Sequence, residues 1–187
     1  GSKGGAYPIV AVPALMSKKI GRPVMMRISR HEEFYLGSAR PGFQGRIKLG
    51  FAADGRVTAA DLYVVQENGP NTGFNDFMAA AEAVSLVYTP PAMRFRGVPV
   101  LTNTPPRGPQ RGPGQNQIAA PVEPLLDKAA KQLNLDRVAI RRINAPDNSA
   151  KVGAKQGGVT SAYLKDALDR GAELFNWEER KARSGQR

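Results

Sequence analysis

A tight-turn signal, Asp54-Gly55, separates two segments of alternating or β-forming residues, and this pattern constrains the fold more than any other part of the sequence. Residues 44–50 alternate polar and apolar side chains before the turn, and residues 57–66 return after it. A period of two indicates strands with one buried face, and Asp-Gly favours the turn of a β-hairpin. The sequence therefore predicts an antiparallel pair of strands in the first half of the chain.

Helical periodicity predicts several helices around this pair, because apolar residues recur every three or four positions. Helices are expected over residues 7–20 with Gly21 as the stop, 77–87, about 118–133, a short stretch after the N-cap Asp136, and 161–175. Two further strands are expected over residues 24–29 and 95–101. The resulting fold class is α+β, a small antiparallel sheet with packed helices.

The apolar stripe of the long helix is the clearest in the chain, and it consists of Ile118, Val122, Leu125, Leu126, Ala129 and Leu133. Such a stripe must be buried against another surface. We therefore expect the isolated chain to expose substantial apolar surface unless other polypeptide covers it.

The absence of cysteine, together with the single histidine His31, excludes several kinds of site. Disulfides, thiolate zinc sites, cysteine nucleophiles and iron–sulfur clusters ligated by this chain are ruled out. No metal ligand from a side chain is expected. Any metal or redox chemistry must therefore come from a bound cofactor or another chain.

The formal net charge is +11, and 41% of the residues are hydrophobic, which is a globular composition. A basic surplus is typical of nucleic-acid or anion binding, but here the positive residues are spread along the chain. No apolar run approaches the roughly 18–20 residues that span a bilayer, and no secretory signal is visible. These features predict a cytoplasmic protein without a membrane span.

Two loops could contact a ligand. The first, Gly1-Ser2-Lys3-Gly4-Gly5, precedes a helix and could hold an anion with backbone N–H groups, although a flexible terminal segment is the alternative. The second, residues 105–117, carries arginine, glycine and amide side chains immediately before the long helix. Arginine offers planar paired donors and glycine permits close approach of the main chain, so this loop is expected to touch a ligand rather than merely connect elements.

Two further candidates lie between the first helix and the hairpin. His31 is followed by Glu32 and Glu33, a combination that is common on surfaces and predicts no acid–base site. Arg40 lies in a loop of small residues, Gly37-Ser38-Ala39, where a cation can anchor an anionic group of a substrate.

Three segments, taken in order, resemble motifs of one known family. The first, Gly1-Ser2-Lys3-Gly4-Gly5, resembles the end of a Gly-Gly-x-Phe-Gly-x-Lys motif. The second runs through Gly21-Arg22-Pro23-Val24, Arg30-His31-Glu32-Glu33, Arg40-Pro41 and Asp54-Gly55. The third runs through Thr102-Asn103, Arg111-Gly112-Pro113-Gly114, Gln117, Glu123 and Arg141-Arg142-Ile143-Asn144. Their order and approximate spacing over residues 1–145 resemble the molybdenum hydroxylases, the xanthine dehydrogenase and aldehyde oxidoreductase family.

The resemblance implies that residues 1–187 are a portion of the molybdopterin-binding domain, with 1–145 the matched part and 146–187 a C-terminal helical segment. It implies that Gly1, Ser2, Arg111 and Gly112 approach the cofactor with backbone groups. It also implies that the positions of Gly4, Arg40 and Pro113 line the substrate pocket. Purine-oxidising members carry an acidic residue and an aromatic ring where this chain has Gly4 and Pro113, so the resemblance does not extend to purine recognition.

The family's catalytic glutamate has no counterpart in this sequence, and neither has the glutamine that lies near the metal. No catalytic residue is therefore assigned to this chain. The expected partners are the remainder of the molybdopterin-binding subunit, iron–sulfur and FAD subunits or domains, and a small-molecule substrate. The expected cofactors are molybdenum–molybdopterin, as the cytosine dinucleotide in a bacterial protein, with FAD and 2Fe-2S on the partners. The implied enzyme oxidises an aldehyde, heterocycle or similar electron-poor carbon with water as the oxygen source, and only as part of a larger assembly.

Two other interpretations remain open at this stage. The same cofactor fold could serve a non-redox hydration, which the sequence does not distinguish from hydroxylation. A basic nucleic-acid-binding module using Arg107, Arg111 and the C-terminal tail is the second, but the aromatic content is only 7% and no base-stacking motif is present. We expect no nucleic-acid partner.

Overall fold

The structure is a computed structural model that describes residues 8–71 and 74–184. The bounds of the helices and strands, in chain order, are α1 Val12–Ile20, α2 Arg30–Leu36, β1 Phe43–Phe51, β2 Val57–Glu67, α3 Asp76–Tyr88, β3 Ala92–Val100, α4 Gln115–Gln132, α5 Arg137–Asn144, β4 Lys151–Val152, β5 Gly157–Gly158, α6 Leu164–Leu174 and α7 Trp177–Arg183.

The predicted hairpin is confirmed. Strand β1 pairs antiparallel with β2, with Ile47 opposite Leu62, and the chain reverses at the Asp54-Gly55 turn. Gly55 has φ +89°, a left-handed conformation that glycine adopts without steric cost. The register places alternate residues of β2 on each face, so one face of the sheet is buried.

The third strand differs from the expectation of an antiparallel sheet. Strand β3 pairs parallel with β2, with Leu62 beside Phe95, so the sheet is mixed, in the order β1-β2-β3. The physical reason is the connection: α3 lies between β2 and β3, and a helical crossover returns the chain to the same end of the sheet before the next strand begins.

The main core lies between the sheet and helices α3 and α4. Buried residues of β2, α3 and α4 form it, namely Val57, Ala60, Leu62, Ala80, Val84, Tyr88, Ile118, Val122 and Leu126. Three residues of the α4 stripe, Ile118, Val122 and Leu126, are thus covered by this chain's own sheet and by α3, and Ala129 packs in a second cluster with Ile140 of α5. Pro121 and Pro124 lie inside α4 on its exposed side, where a proline side chain meets solvent rather than the core.

The segment before the hairpin differs most from its expectation. Helix α1 follows a 3-10 turn over Pro8–Ala11 and ends at Gly21 in a left-handed cap, as expected. Residues 23–29 form no strand, and Met25 is 91% exposed. The strand expected at 24–29 is therefore wrong. The chain instead continues in irregular conformation to the capping box of α2, in which Ser29 and Glu32 bond each other.

The apolar residues of α1 and its surroundings are exposed. We call the N-terminal apolar surface the set Val10, Leu15, Met16, Ile20, Met25 and Phe34, each of which is substantially exposed. Helix α1 has no buried residue. Exposed apolar side chains therefore concentrate here, and not on the α4 stripe from which an exposed surface was expected.

The C-terminal part is tied to the rest by two polar side chains. Asp136 caps α5, as predicted, and also accepts hydrogen bonds from Trp177 Nε1 and Lys181 Nζ of α7. Asn144, at the end of α5, is buried and bonds the backbone of Val57 and Gly55 at the hairpin turn. The helix expected over residues 161–175 is α6, and this expectation is confirmed. The short β4–β5 pair before it and helix α7 after it were not expected.

Across residues 8–71 and 74–184, no helix is both long enough and apolar enough to cross a bilayer.

Candidate functional site

Arg40 and the loop before α4 form one hydrogen-bonded unit. The Arg40 guanidinium donates from Nη2 to the Arg111 carbonyl at 2.6 Å and from Nη1 to the Gly112 carbonyl at 3.0 Å. Nη1 also donates to Gln117 Oε1 at 3.2 Å. Arg40, Arg111 and Gly112 were separate candidates in the sequence, and the structure brings them into direct contact.

Backbone pairing explains why the two segments meet. Ala39 bridges Arg107: the Ala39 N–H donates to the Pro106 carbonyl, and the Gly108 N–H donates to the Ala39 carbonyl. The loop after β3 therefore runs beside the segment that precedes β1. Arg40 follows Ala39 directly, so the bridge places it next to the Arg111-Gly112 turn of the same loop.

The hydrogen bond from Arg40 to the Arg111 carbonyl fixes the direction in which the Gly112 N–H points. A trans peptide is planar and its C=O and N–H point in opposite directions, and no cis bond occurs among the described residues. Because the Arg111 carbonyl points at Arg40, the Gly112 N–H points away from it. Within residues 8–71 and 74–184, this N–H donates to no other residue, so the turn presents an unused donor on the side opposite Arg40.

Two glycines give this turn its shape. Gly112 has φ +70° and Gly114 has φ +75°, both in the left-handed region. A Cβ on Gly112 would lie 2.8 Å from Asn116 Oδ1, and a Cβ on Gly114 would lie 2.0 Å from the Asp76 carbonyl oxygen. The turn thus lies between the first turn of α4 and the first turn of α3. A side chain at Gly114 would collide with the backbone of α3, whereas a side chain at Gly112 would have to displace the Asn116 side chain.

Gln117 and Asp76 complete the unit, and neither has an assigned role in the sequence-based expectations. Gln117 Oε1 accepts from the Gly114 N–H at 3.1 Å, and its Nε2 donates to Asp76 Oδ2 at 3.4 Å. Burial raises the pKa of the Asp76 carboxyl above its ordinary value, although the Gln117 amide, the Arg40 charge and the Gly114 N–H oppose that rise. The density of amide side chains in residues 105–117 was the signal that could have found Gln117. Asp76 left no signal, since its burial depends on the tertiary fold.

Comparison with known proteins identifies the family. The profile of the family described as the molybdopterin cofactor-binding domain matches residues 1–145. The chain belongs to this family. The xanthine dehydrogenase molybdenum-binding subunit of Escherichia coli O157:H7 is 32% identical over 170 residues, which are 90% of this chain and 23% of that protein.

Two further comparisons agree with this membership. The nicotinate dehydrogenase large molybdopterin subunit of Eubacterium barkeri is 28% identical over 162 residues, 86% of this chain and 38% of that protein. The crystal structure of quinoline 2-oxidoreductase from Pseudomonas putida 86 superposes with a TM-score of 0.81 at 26% identity, over 99% of this chain and 25% of that one. The chain therefore spans 23–38% of the length of these three relatives.

The structure describes four of the seven residues that the family resemblance assigns to the cofactor or the substrate pocket. Arg40, Arg111 and Gly112 are in mutual contact, and Pro113 follows Gly112 directly and is half-buried. Gly1, Ser2 and Gly4 lie outside the described residues. Among the residues that are described, no group of histidine, cysteine and carboxylate side chains could hold a metal ion.

The nucleic-acid interpretation needs Arg107, Arg111 and the tail to be available. Arg107 is not: its guanidinium donates to Glu67 Oε1 at 2.8 Å and its side chain is only 18% exposed. In the tail, Lys181 pairs with Glu178 and Asp136. Several of these cations are thus engaged within the domain.

Proposed function

We propose that this domain forms part of the molybdopterin-binding catalytic subunit of a molybdenum hydroxylase or dehydrogenase. Such an enzyme oxidises an aldehyde, heterocycle or similar electron-poor carbon with water as the oxygen source. Family membership and the enzyme names of the relatives support the proposal. The observation that carries it is the hydrogen bond from Arg40 to the Arg111 carbonyl. Because this bond directs the carbonyl toward Arg40, the Gly112 N–H of the same peptide points to the opposite side of the loop.

The residues present fit a cofactor that is rich in oxygen atoms. The Gly112 N–H lies in a half-buried turn and donates to no residue within 8–71 and 74–184, and a backbone donor held in place needs no reorganisation when it meets an oxygen. Gly112 and the backbone of Arg111 would hold the cofactor from this side. Gly1 and Ser2 are proposed to do so from the other loop. When bound, the molybdenum–molybdopterin cofactor supplies the oxidation chemistry.

Arg40 is proposed to have two roles. It bonds the turn through three hydrogen bonds, in the contacts described above, and its guanidinium has five N–H donors. The remaining donors are enough to orient a polar group of the substrate. Gly4 and Pro113 are proposed to line the same pocket, where a glycine and a proline admit a substrate without offering a charge to it.

Other parts of the enzyme are proposed to come from outside this chain. The catalytic glutamate is assigned to the remainder of the subunit, and FAD and 2Fe-2S centres to partner subunits or domains. The cofactor is proposed to be the cytosine dinucleotide form of molybdopterin, and the location to be cytoplasmic. The N-terminal apolar surface is proposed to be covered by the remainder of the subunit, since exposed apolar side chains concentrate there.

The test is purification of the complete subunit with its co-expressed partners from a host that makes the cofactor. Molybdenum, pterin, FAD and iron are measured in the preparation, and aldehydes and N-heterocycles are assayed with an artificial electron acceptor. We expect molybdenum and pterin in equal amounts and turnover of at least one substrate. A correctly folded complex that contains no pterin would contradict the proposal.

A further inference from the structure

The side-chain amide of Gln117 lies at the centre of the Arg40 unit. Its Oε1 accepts from Arg40 Nη1 at 3.2 Å and from the Gly114 N–H at 3.1 Å. Its Nε2 donates to the Pro41 carbonyl at 3.3 Å and to Asp76 Oδ2 at 3.4 Å. A glutamine amide has two donors and two acceptor positions, so all four are used.

The orientation of this amide is fixed by its partners. Arg40 and the Gly114 N–H can only donate, and the Pro41 carbonyl can only accept. Rotating the amide by half a turn would place its N–H groups against two donors and its oxygen against two acceptors. The oxygen of Gln117 therefore faces Arg40, and the amide nitrogen faces Asp76.

Asp76 closes the arrangement from α3. Its side chain is fully buried, and its backbone oxygen lies against Gly114, where no Cβ would fit. Its Oδ2 takes the N–H of Gln117, while its Oδ1 has no partner among the described residues. Burying a carboxyl group costs folding free energy unless hydrogen bonds compensate for the lost water. The presence of Asp76 beside the turn therefore calls for an explanation.

We propose that Gln117 is a positioning residue for the cofactor turn and that Asp76, together with the Pro41 carbonyl, holds the nitrogen of its amide. Gln117 holds Arg40 and the Gly114 N–H in the geometry that directs the Gly112 N–H outward. The inference rests on the proposed function, because it concerns the turn assigned to the cofactor. It adds two residues that form no expected contact with the cofactor or the substrate.

Substitutions of matched shape separate this role from simple packing. Gln117→Glu preserves the acceptor toward Arg40 but places a carboxylate oxygen against Asp76 and the Pro41 carbonyl. Two carboxylates at this distance repel each other in a buried site. Asp76→Asn alone should be mild, because the asparagine oxygen can still accept from Gln117. In the double variant, the amide introduced at position 76 can donate to the carboxylate introduced at position 117, which restores one donor–acceptor pair.

The experiment uses the complete subunit with its partners, purified at mildly alkaline pH. Molybdenum and pterin per subunit are measured, together with the electron paramagnetic resonance spectrum of Mo(V) in the loaded fraction and the thermal midpoint. We expect Gln117→Glu to lower cofactor content about tenfold and to alter the Mo(V) spectrum, a loss equivalent to about 1.4 kcal/mol. Asp76→Asn should remain within about twofold of wild type, and the double variant should recover to within about threefold. Gln132→Glu, an exposed change on the same helix, is the control.

The possible failures are distinguishable. A wild-type complex without molybdenum or pterin would overturn the proposed function. A wild-type complex that contains both, beside a Gln117→Glu variant with unchanged content and spectrum, would overturn the role of Gln117 alone. Loss in Gln117→Glu without recovery in the double variant would overturn the role of Asp76.

Discussion

Arg40 and Gly112 lie 72 positions apart in the sequence and are joined by a 3.0 Å hydrogen bond from the Arg40 Nη1 to the Gly112 carbonyl. The arginine approaches from the segment before β1, and the glycine lies in the loop before α4. This contact joins the two segments, each of which carries only a weak motif in the sequence, into one hydrogen-bonded unit. Its backbone groups, rather than a charged side chain, would meet a cofactor.

Loss of the Arg40 guanidinium should disturb both the cofactor and the substrate. Arg40→Met removes three hydrogen bonds made by a charged group, two to carbonyls of the turn and one to Gln117. A hydrogen bond to a charged group contributes about 1.5–3 kcal/mol, so the loss of a single one accounts for a roughly ten- to hundredfold effect. In the assembled enzyme we expect molybdenum content to fall about tenfold and kcat/KM per molybdenum about a hundredfold. Arg40→Lys should be intermediate, since an ammonium cannot span both carbonyls.

Metal analysis and steady-state kinetics of the two variants check this, with the exposed Arg46→Met as the control. Reduced kcat/KM at full molybdenum content would restrict Arg40 to substrate binding. Unchanged values of both quantities would contradict both roles.

Substitution of Gly112 should act through Asn116. Gly112→Ala combines the strain of a left-handed backbone, roughly 1–2 kcal/mol, with a Cβ 2.8 Å from Asn116 Oδ1. Gly21→Ala is the matched control, because Gly21 has φ +65° and no atom within 4 Å of the added Cβ. We expect Gly112→Ala to lower cofactor content severalfold, and Gly112→Ala with Asn116→Ala to recover part of it. Equal cofactor content in Gly112→Ala and wild type would show that the turn tolerates a side chain.

Local patterns were sufficient for much of the fold. The alternation around Asp54-Gly55 predicted β1 and β2, and the cap Asp136 predicted α5, since both signals depend on neighbours in the sequence. The apolar run at residues 24–29 predicted a strand that is absent, because an apolar pattern carries no information on whether a neighbouring strand is available for pairing. The strand–helix–strand order favours the parallel pairing of β3, and the expectation of an antiparallel sheet overlooked that order.

The sequence singled out some residues of the candidate site, but it indicated neither their arrangement nor the part of Asp76. Arginine and glycine in residues 105–117 indicated a ligand, and the family motifs singled out Arg40. That Arg40 bonds the carbonyls of Arg111 and Gly112 depends on the Ala39–Arg107 bridge, a pairing of distant segments with no local signature. The burial of Asp76 likewise depends on the packing of α3 against the turn before α4, which brings together residues far apart in the sequence.

Removal of the Asn144 side chain should destabilise the domain. Its oxygen accepts from the Val57 N–H at 2.7 Å, and its nitrogen donates to the Gly55 carbonyl at 2.9 Å. Asn144→Leu would leave these buried backbone groups unpaired, at a cost of about 2–4 kcal/mol. The thermal midpoint should fall by roughly 4–12 °C. The exposed Asn103→Ala should leave it unchanged. An unaltered midpoint for Asn144→Leu would mean that water replaces both bonds.

Acid should weaken the attachment of α7. Burial alone would raise the pKa of Asp136, but hydrogen bonds from Trp177, Ala139, Lys181 and Val138 outweigh it and lower that pKa to about 2. A carboxyl whose pKa is lower in the folded state stabilises the fold above its unfolded pKa, about 3.9. This contribution, about 2 kcal/mol, is lost as the pH falls toward 2.

Asp136→Asn should therefore lower the free energy of unfolding at pH 6 and have little effect near pH 2. Urea unfolding followed by Trp177 fluorescence at both pH values measures it. The exposed Asp54→Asn serves as the control. A difference between wild type and Asp136→Asn that is the same at both pH values would contradict the assignment.

A charged side chain on the N-terminal apolar surface should have opposite effects on the isolated chain and on the complete subunit. Leu15 is 65% exposed and lies on α1, which has no buried residue. In the isolated chain, Leu15→Glu should reduce self-association and the binding of an apolar dye, because it interrupts an exposed apolar surface. In the complete subunit, the same change would bury a charge against the covering polypeptide and should lower the yield of folded, cofactor-loaded complex severalfold.

Leu174→Glu on α6, at 68% exposure, tests whether any exposed leucine behaves this way. Analytical ultracentrifugation of the chain and molybdenum content of the complex are the two measurements, and a complex that loads fully with Leu15→Glu would show that this surface remains free in the enzyme.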